Sequence, residues 1–340
     1  MAKSKQKRVG FFLNGKFDYM LLIITLLLLC IGLIMLLSAS APTSLSESGN
    51  SYKYVIKQGA MAAIGLIMMT VLSKIDYRIY RRLKWIIYVG LIVLLVLVGF
   101  VGTNAGGARR WINIFGFSFQ PSEFAKVGFI LFYASLLSDL KEKIKLKKFG
   151  WGFIFPILFL GPIVISIYIL QNHFSATFII VAITFVQMFV AGSLFRYFLG
   201  CGTLAGMGLM GLLLKKSAES SGNEGFRESR INTWLHIDQA NLTGEAWQIN
   251  QSLYAIGSGG LFGVGLGNSK QKYLYLPEPQ NDFIFAVLAE ELGFVGCILV
   301  ILLFVLFVWR GIVISIKAED NFGTLIAIRN NNYDWTTSIN

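Results

Sequence analysis

Two ordered sets of residues in this chain carry groups able to do chemistry. The first is Gly106-Gly107-Ala108-Arg109-Arg110-Trp111-Ile112, followed by Gln120-Pro121-Ser122-Glu123-Phe124-Ala125-Lys126. The second is Trp247-Gln248-Ile249-Asn250-Gln251-Ser252-Leu253, a glycine run from Gly257 to Gly267, and Leu276-Pro277-Glu278-Pro279-Gln280-Asn281-Asp282-Phe283-Ile284-Phe285. Guanidinium groups grip phosphate with bidentate geometry, so Arg109 and Arg110 predict recognition of an anion. The same pair, with Trp111 as an interfacial aromatic, also reads as an anchor for lipid headgroups. Asp282 stands one residue before an apolar run, a setting that suits a general base or a helix N-cap.

Other ionisable residues sit deeper in apolar runs. Glu123 and Lys126, at i,i+3, are placed to pair on one helix face, and Ser122 to cap that helix. Glu290 and Glu291 follow Asp282 by eight and nine positions, and at least one of them must face protein or water. The glycine run has G-x-G-x-G spacing with no preceding strand, which excludes a dinucleotide fingerprint. Close helix packing and a backbone cradle for a ligand both remain open for it.

The elements that must position these groups are membrane helices. Of 340 residues, 55% are hydrophobic and 14% charged, and the mean hydropathy of +0.64 lies beyond the balance of a soluble domain. Runs long enough to span a bilayer occur at roughly 19–40, 54–72, 85–103, 122–138, 151–170, 175–194, 197–214 and 283–309, eight in all. The expected fold is an all-α polytopic transmembrane bundle in a single integral membrane domain, 1–340. The formal charge of +12 is concentrated in short clusters between the runs, at Lys3 to Lys16, Lys74 to Lys84 and Lys141 to Lys148. That pattern reports topology rather than nucleic-acid binding, and it makes the 1–18 tail cytoplasmic. Parity then places loops 104–121 and 215–282 on the outer face. Within the longer loop, Trp247 to Leu266 is expected to lie on or re-enter the membrane. Cys30, Cys201 and Cys297 have no metal-ligand spacing and are expected to pack in apolar stretches.

Taken together, the loops resemble the SEDS family of shape, elongation, division and sporulation proteins (RodA, FtsW and SpoVE). The matching segments are Gly107 to Ile112, Gln120 to Lys126, Gln251-Ser252 with Gly257 to Gly267, Leu276-Pro277-Glu278, Asp282 to Phe285, and Glu290-Glu291-Leu292-Gly293. The resemblance implies a ten-span glycosyltransferase of the bacterial cell membrane, active face outward, that polymerises lipid II into β-1,4 glycan strands. It assigns Asp282 as the catalytic carboxylate, or as holder of a divalent cation (Mg or Mn), with no organic cofactor. Arg109, Arg110, Trp111, Gln251 and Ser252 become substrate-binding positions, and Glu123, Lys126, Glu290 and Glu291 pairing residues within the membrane. It implies a class B penicillin-binding transpeptidase and other division or elongation proteins as partners, besides membrane lipids.

The sequence departs from the family after Ile328, where Arg329 to Asn340 is polar at the place of a ninth span. The 329–340 tail therefore suggests a truncated or frameshifted product whose activity is open. A lipid II flippase and an inactive scaffold of the division machinery are the competing functions.

Overall fold

The computed structural model describes residues 18–105, 108–114, 117–142, 150–171, 173–193, 197, 200, 245–273, 275–317, 322, 323 and 325. The expected tails and most of the expected span at 197–214 lie outside the described residues, as does 215–244 of the long loop. The other expected spans are all found as helices. The chain divides into two compact units, one holding Lys74–Leu212 and Gly311–Asn340, the other Gly15–Ser73 and Leu213–Arg310.

In the first unit, α3 (Arg78–Arg82) leads into α4 (Lys84–Val101), then a small antiparallel sheet, then α5 (Pro121–Glu142). The sheet, absent from the sequence expectation, has strands β1 (Thr103–Ala105), β2 (Ala108–Ile114) and β3 (Phe117–Phe119) in that order. Its register sets Asn104 opposite Arg109 and Ile112 opposite Phe119. The chain continues through a π-helical turn (Gly150–Ile154), α6 (Phe155–Ile165), a second π turn (Ser166–Leu170) and α7 (Phe174–Ala191). Pro162 inside α6 removes a backbone donor, a common cause of such irregular helix.

The core of this unit forms around α5, where Phe129, Phe132, Tyr133 and Leu137 are fully buried. Within lipid, helices associate through close packing and interhelical hydrogen bonds rather than through hydrophobicity. Gly128 allows α4 to approach, since a Cβ there would lie 2.9 Å from Leu91. Tyr88 stacks on Phe132 at 4.3 Å between ring centres and donates to the Phe159 carbonyl at 3.0 Å. Being interior, α5 tolerates polar groups that a lipid-facing helix would not. Gln187 of α7 donates to its Ile130 carbonyl at 3.2 Å, and Asp139 accepts from Arg81 at 2.7 Å and pairs with Lys84.

The second unit contains α1 (Tyr19–Ser48), α2 (Lys53–Leu72), α8 (Glu245–Ser258) and α9 (Ile284–Ile316). Asp18 caps α1 through Leu21 N at 3.0 Å and pairs with Arg310 of α9 at 2.9 Å. Gly49, in the left-handed region, closes the helix by donating to the Leu45 carbonyl at 2.9 Å, so α1 runs eight residues past its expected end at 40. Buried Met35, Ala39, Ala255, Leu276 and Val287 pack together in this unit, whereas α2 buries no residue. Cys30 is exposed on α1 rather than packed in a core.

Among the described residues, five helical runs are long and apolar enough to cross a membrane: Tyr19–Ser48, Lys53–Leu72, Lys84–Val101, Gly150–Leu170 and Ile284–Ile316. Their outward faces carry apolar side chains such as Ile56, Ile86, Leu158 and Phe304, as expected where the solvent is lipid. The chain is a multi-pass membrane protein of all-α class with one small sheet.

Candidate active site

The glycine run and α9 are built around one another. Gly293, with φ +67°, breaks α9 two positions after Glu291. A broken helix in a membrane must regain its lost backbone hydrogen bonds from protein. The glycine segment supplies them: Val264 N donates to the Glu290 carbonyl and Gly265 N to that of Glu291, both at 3.0 Å. In return Phe294 N donates to Gly260 O at 2.9 Å and Val295 N to Leu261 O at 3.1 Å. Only glycine permits this approach, because a Cβ on Gly259 would lie 2.0 Å from Ala289 O and one on Gly263 2.1 Å from Glu291 O. Of the two roles left open by the sequence, these glycines serve close backbone packing.

Both glutamates face protein. Glu291 accepts from Ser38 Oγ of α1 at 2.6 Å and from Lys272 Nζ at 2.9 Å. The Lys272 and Glu291 side chains are 4% and 0% exposed, so this is a desolvated ion pair. The Lys272 ammonium also reaches Ser38 Oγ at 3.0 Å and Gly267 O at 2.6 Å, which uses all three of its protons. Glu290 accepts from Ser269 Oγ and from Lys270 N, the latter at 2.9 Å. Sequence reasoning found the glutamates and missed Lys272, Ser269 and Ser38. Nothing local marks a loop lysine whose partner lies 19 residues further on.

Beyond Lys272 the loop is held from the side by α8. Trp247 Nε1 donates to Tyr275 O at 2.9 Å, Gln248 Nε2 to Pro277 O at 3.2 Å, and Leu276 is buried. Glu278, at φ +47°, opens a turn in which its carboxylate accepts from Gln280 Nε2 at 2.8 Å and Asn281 Nδ2 at 2.9 Å. Asp282 ends this loop with its side chain exposed. It is not the N-cap of α9, because Phe283 provides the first helical carbonyl, accepting from Ala286 N at 2.9 Å. Gln251 and Ser252 lie on α8 and are buried, and the Ser252 hydroxyl donates to the Ile249 carbonyl of its own helix at 2.7 Å.

The other candidate residues belong to the first unit. Arg109 and Arg110 lie on β2, which packs against α4 and α5, and their side chains lie outside the described residues. Trp111 is partly exposed on the same strand. Glu123 and Lys126 form the expected i,i+3 pair at 2.6 Å. Ser122 does not cap α5, which starts with Pro121; its fixed φ suits the first helical position. Ser122 therefore lies inside the first turn, with its Oγ 3.3 Å from His173 Nδ1.

Comparison with known proteins follows the same residues. The cell cycle protein family of FtsW, RodA and SpoVE matches across 18–331. The chain belongs to this family. Stage V sporulation protein E of Bacillus subtilis is 41% identical over 314 residues, covering 92% of this chain and 82% of the relative. A probable peptidoglycan glycosyltransferase FtsW of Geobacter is 37% identical over 313 residues, with the same shares covered. Among solved structures, a chain of a peptidoglycan synthase complex that coordinates polymerization and crosslinking matches with TM-score 0.69 at 23% identity, covering 92% of this chain and 82% of that one. The rod shape determining protein RodA of Thermus thermophilus matches with TM-score 0.62 at 24% identity, covering 92% and 79%. The FtsW/RodA/SpoVE match takes in α1 through α9, so it includes both the Arg109 strand and the Asp282 loop.

Proposed function

We propose that this chain is a peptidoglycan glycosyltransferase that polymerises lipid II into β-1,4-linked strands during division, elongation or sporulation. The observation that carries the reading is the family match over 18–331, with relatives named as peptidoglycan glycosyltransferases. The local geometry supports it, since the loop ending at Asp282 is fixed by α1, α8 and α9 and leaves that carboxylate exposed at the start of an apolar helix.

Lipid II carries an α-linked pyrophosphate and the product is β-linked, so transfer is a single inverting displacement. The acceptor 4-hydroxyl forms its bond to the anomeric carbon as the carbon–pyrophosphate bond breaks, and its proton passes to Asp282. Arg109 and Arg110 are assigned to the phosphates, where guanidinium stabilises developing charge. Mg²⁺ is commonly held by one or two carboxylates together with substrate phosphates, so Asp282 suits a divalent ion that would supply further charge stabilisation. Among the described residues no group of three or more His, Cys, Asp or Glu side chains could hold a metal ion by itself. The active face is outward on the bacterial cell membrane, and a class B penicillin-binding transpeptidase crosslinks the strands.

The test is to purify the chain with such a transpeptidase, add lipid II and resolve the products on a gel. Glycan strands of many units are expected. Movement of labelled lipid II across vesicles without any polymer would overturn the enzyme reading in favour of transport. The internal pairing of Lys272 with Glu291, and of Glu290 with Ser269 and Lys270 N, argues against a polar transport path at these charges.

A further inference from the structure

We infer that Lys272 is a positioning residue for Asp282, fixing through Glu291 the loop that presents the reacting carboxylate. The inference rests on the reading of Asp282 as the group that accepts the proton. Four observations lead to it.

First, the ammonium of Lys272 is a junction of three segments. It binds Ser38 of α1, the Gly267 carbonyl at the end of the glycine run and Glu291 of α9, all within 3.0 Å. Second, the adjoining loop residues are held by the same acidic pair, Ser269 N on Glu291 and Ser269 Oγ with Lys270 N on Glu290. Third, neither glutamate touches solvent appreciably, at 2% and 1% exposure, so the network has no water to substitute for a lost partner. Fourth, Asp282 follows Lys272 by ten positions, and the intervening chain is held at Tyr275, Leu276 and Pro277 before the Glu278 turn. The start of the loop is thus fixed by charge, its middle by α8, and Asp282 is its free rim.

Lys272 is itself buried away from the exposed Asp282 side chain, so it acts through the backbone rather than on the substrate. The two carboxylates divide the labour. Glu291 takes the cation, while Glu290 is served by a hydroxyl and a backbone N–H. Losing Lys272 would leave Glu291 buried without a counter-charge, and the glycine segment would lose its tie to α1.

The experiment compares wild type, Lys272→Met, the double variant Lys272→Met/Glu291→Gln, and Asp282→Asn, each purified with the transpeptidase partner. Hydrogen exchange over 268–282 and the kcat and KM for lipid II are measured together. For Lys272→Met, exchange in 268–282 accelerates about tenfold or more while α2 stays unchanged. Its kcat falls about 10- to 100-fold, with KM moved less than about threefold. The double variant adds no unpaired charge to those already in the wild-type core and is expected to fold even if the single one fails to, with exchange and kcat no further from wild type than those of a folded single variant. Wild-type exchange and kcat in either Lys272 variant would overturn the inference. Asp282→Asn is expected to abolish polymer without altering exchange. If it polymerises normally, the reading of Asp282 fails, and the exchange data still decide whether Lys272 fixes the loop.

Discussion

Gly263 and Gly293 meet backbone to backbone: a Cβ added to Gly293 would lie 2.2 Å from the Gly263 nitrogen. Both residues have φ in the left-handed region, at +77° and +67°. Replacing Gly293 with alanine therefore adds backbone strain and a collision that no rotamer can relieve. Gly293→Ala should cost about 3 kcal/mol or more, read as a clear fall in the thermal midpoint of the detergent-solubilised protein. Gly267→Ala has φ strain but no nearby atom, so its loss should be smaller, about 1 kcal/mol. Equal losses at the two sites would contradict the packing role given to Gly293.

The ion cluster at the α4 and α5 ends makes a different prediction. Asp139 is the shared partner of Arg81 and Lys84, with all three side chains under a third exposed. Asp139→Asn should lower stability by about 1–2 kcal/mol, because two cations are left facing a neutral amide. A double-mutant cycle with Arg81→Gln should show coupling of about 0.5 kcal/mol or more, and strict additivity would show that the geometry carries no energy.

Glu123 and Lys126 behave otherwise, since Glu123 is 53% exposed and the pair is an i,i+3 contact on one helix. Lys126→Gln should change stability by less than about 1 kcal/mol. A larger loss would mean that this pair is desolvated in the membrane-embedded protein.

How far the sequence reached depends on the range of the interaction. Helices whose signal is a continuous apolar run were legible: α4 nearly to its ends, and α9 at its start, although α9 runs seven residues past its expected end at 309. The i,i+3 pair of Glu123 and Lys126 was legible because both partners lie on one turn. The capping role read for Ser122 failed by one position, since Pro121 already occupies the first helical place. The capping role considered for Asp282 failed for a similar reason at Phe283. The short sheet around Arg109 escaped notice because its outer strands have three residues each and β2, Ala108–Ile114, breaks apolar/polar alternation at Arg109-Arg110 and Trp111-Ile112. Lys272 escaped for a stronger reason: its importance lies in α1 and α9, and no local pattern encodes a contact with Ser38, 234 residues away.

Arg109 and Arg110 test the phosphate assignment separately from the base. Arg109→Lys keeps the charge and loses the bidentate fork, so KM for lipid II should rise about tenfold, with stability unchanged. A variant with wild-type KM and kcat would return Arg109 to the role of a headgroup anchor.

The most direct test of the central claim is lipid II polymerisation by the purified complex carrying Asp282→Ala. Loss of all glycan strands, with normal membrane insertion and an unchanged thermal midpoint, is the predicted result, because Asp282 is exposed and caps nothing. Strands formed at the wild-type rate would contradict the account.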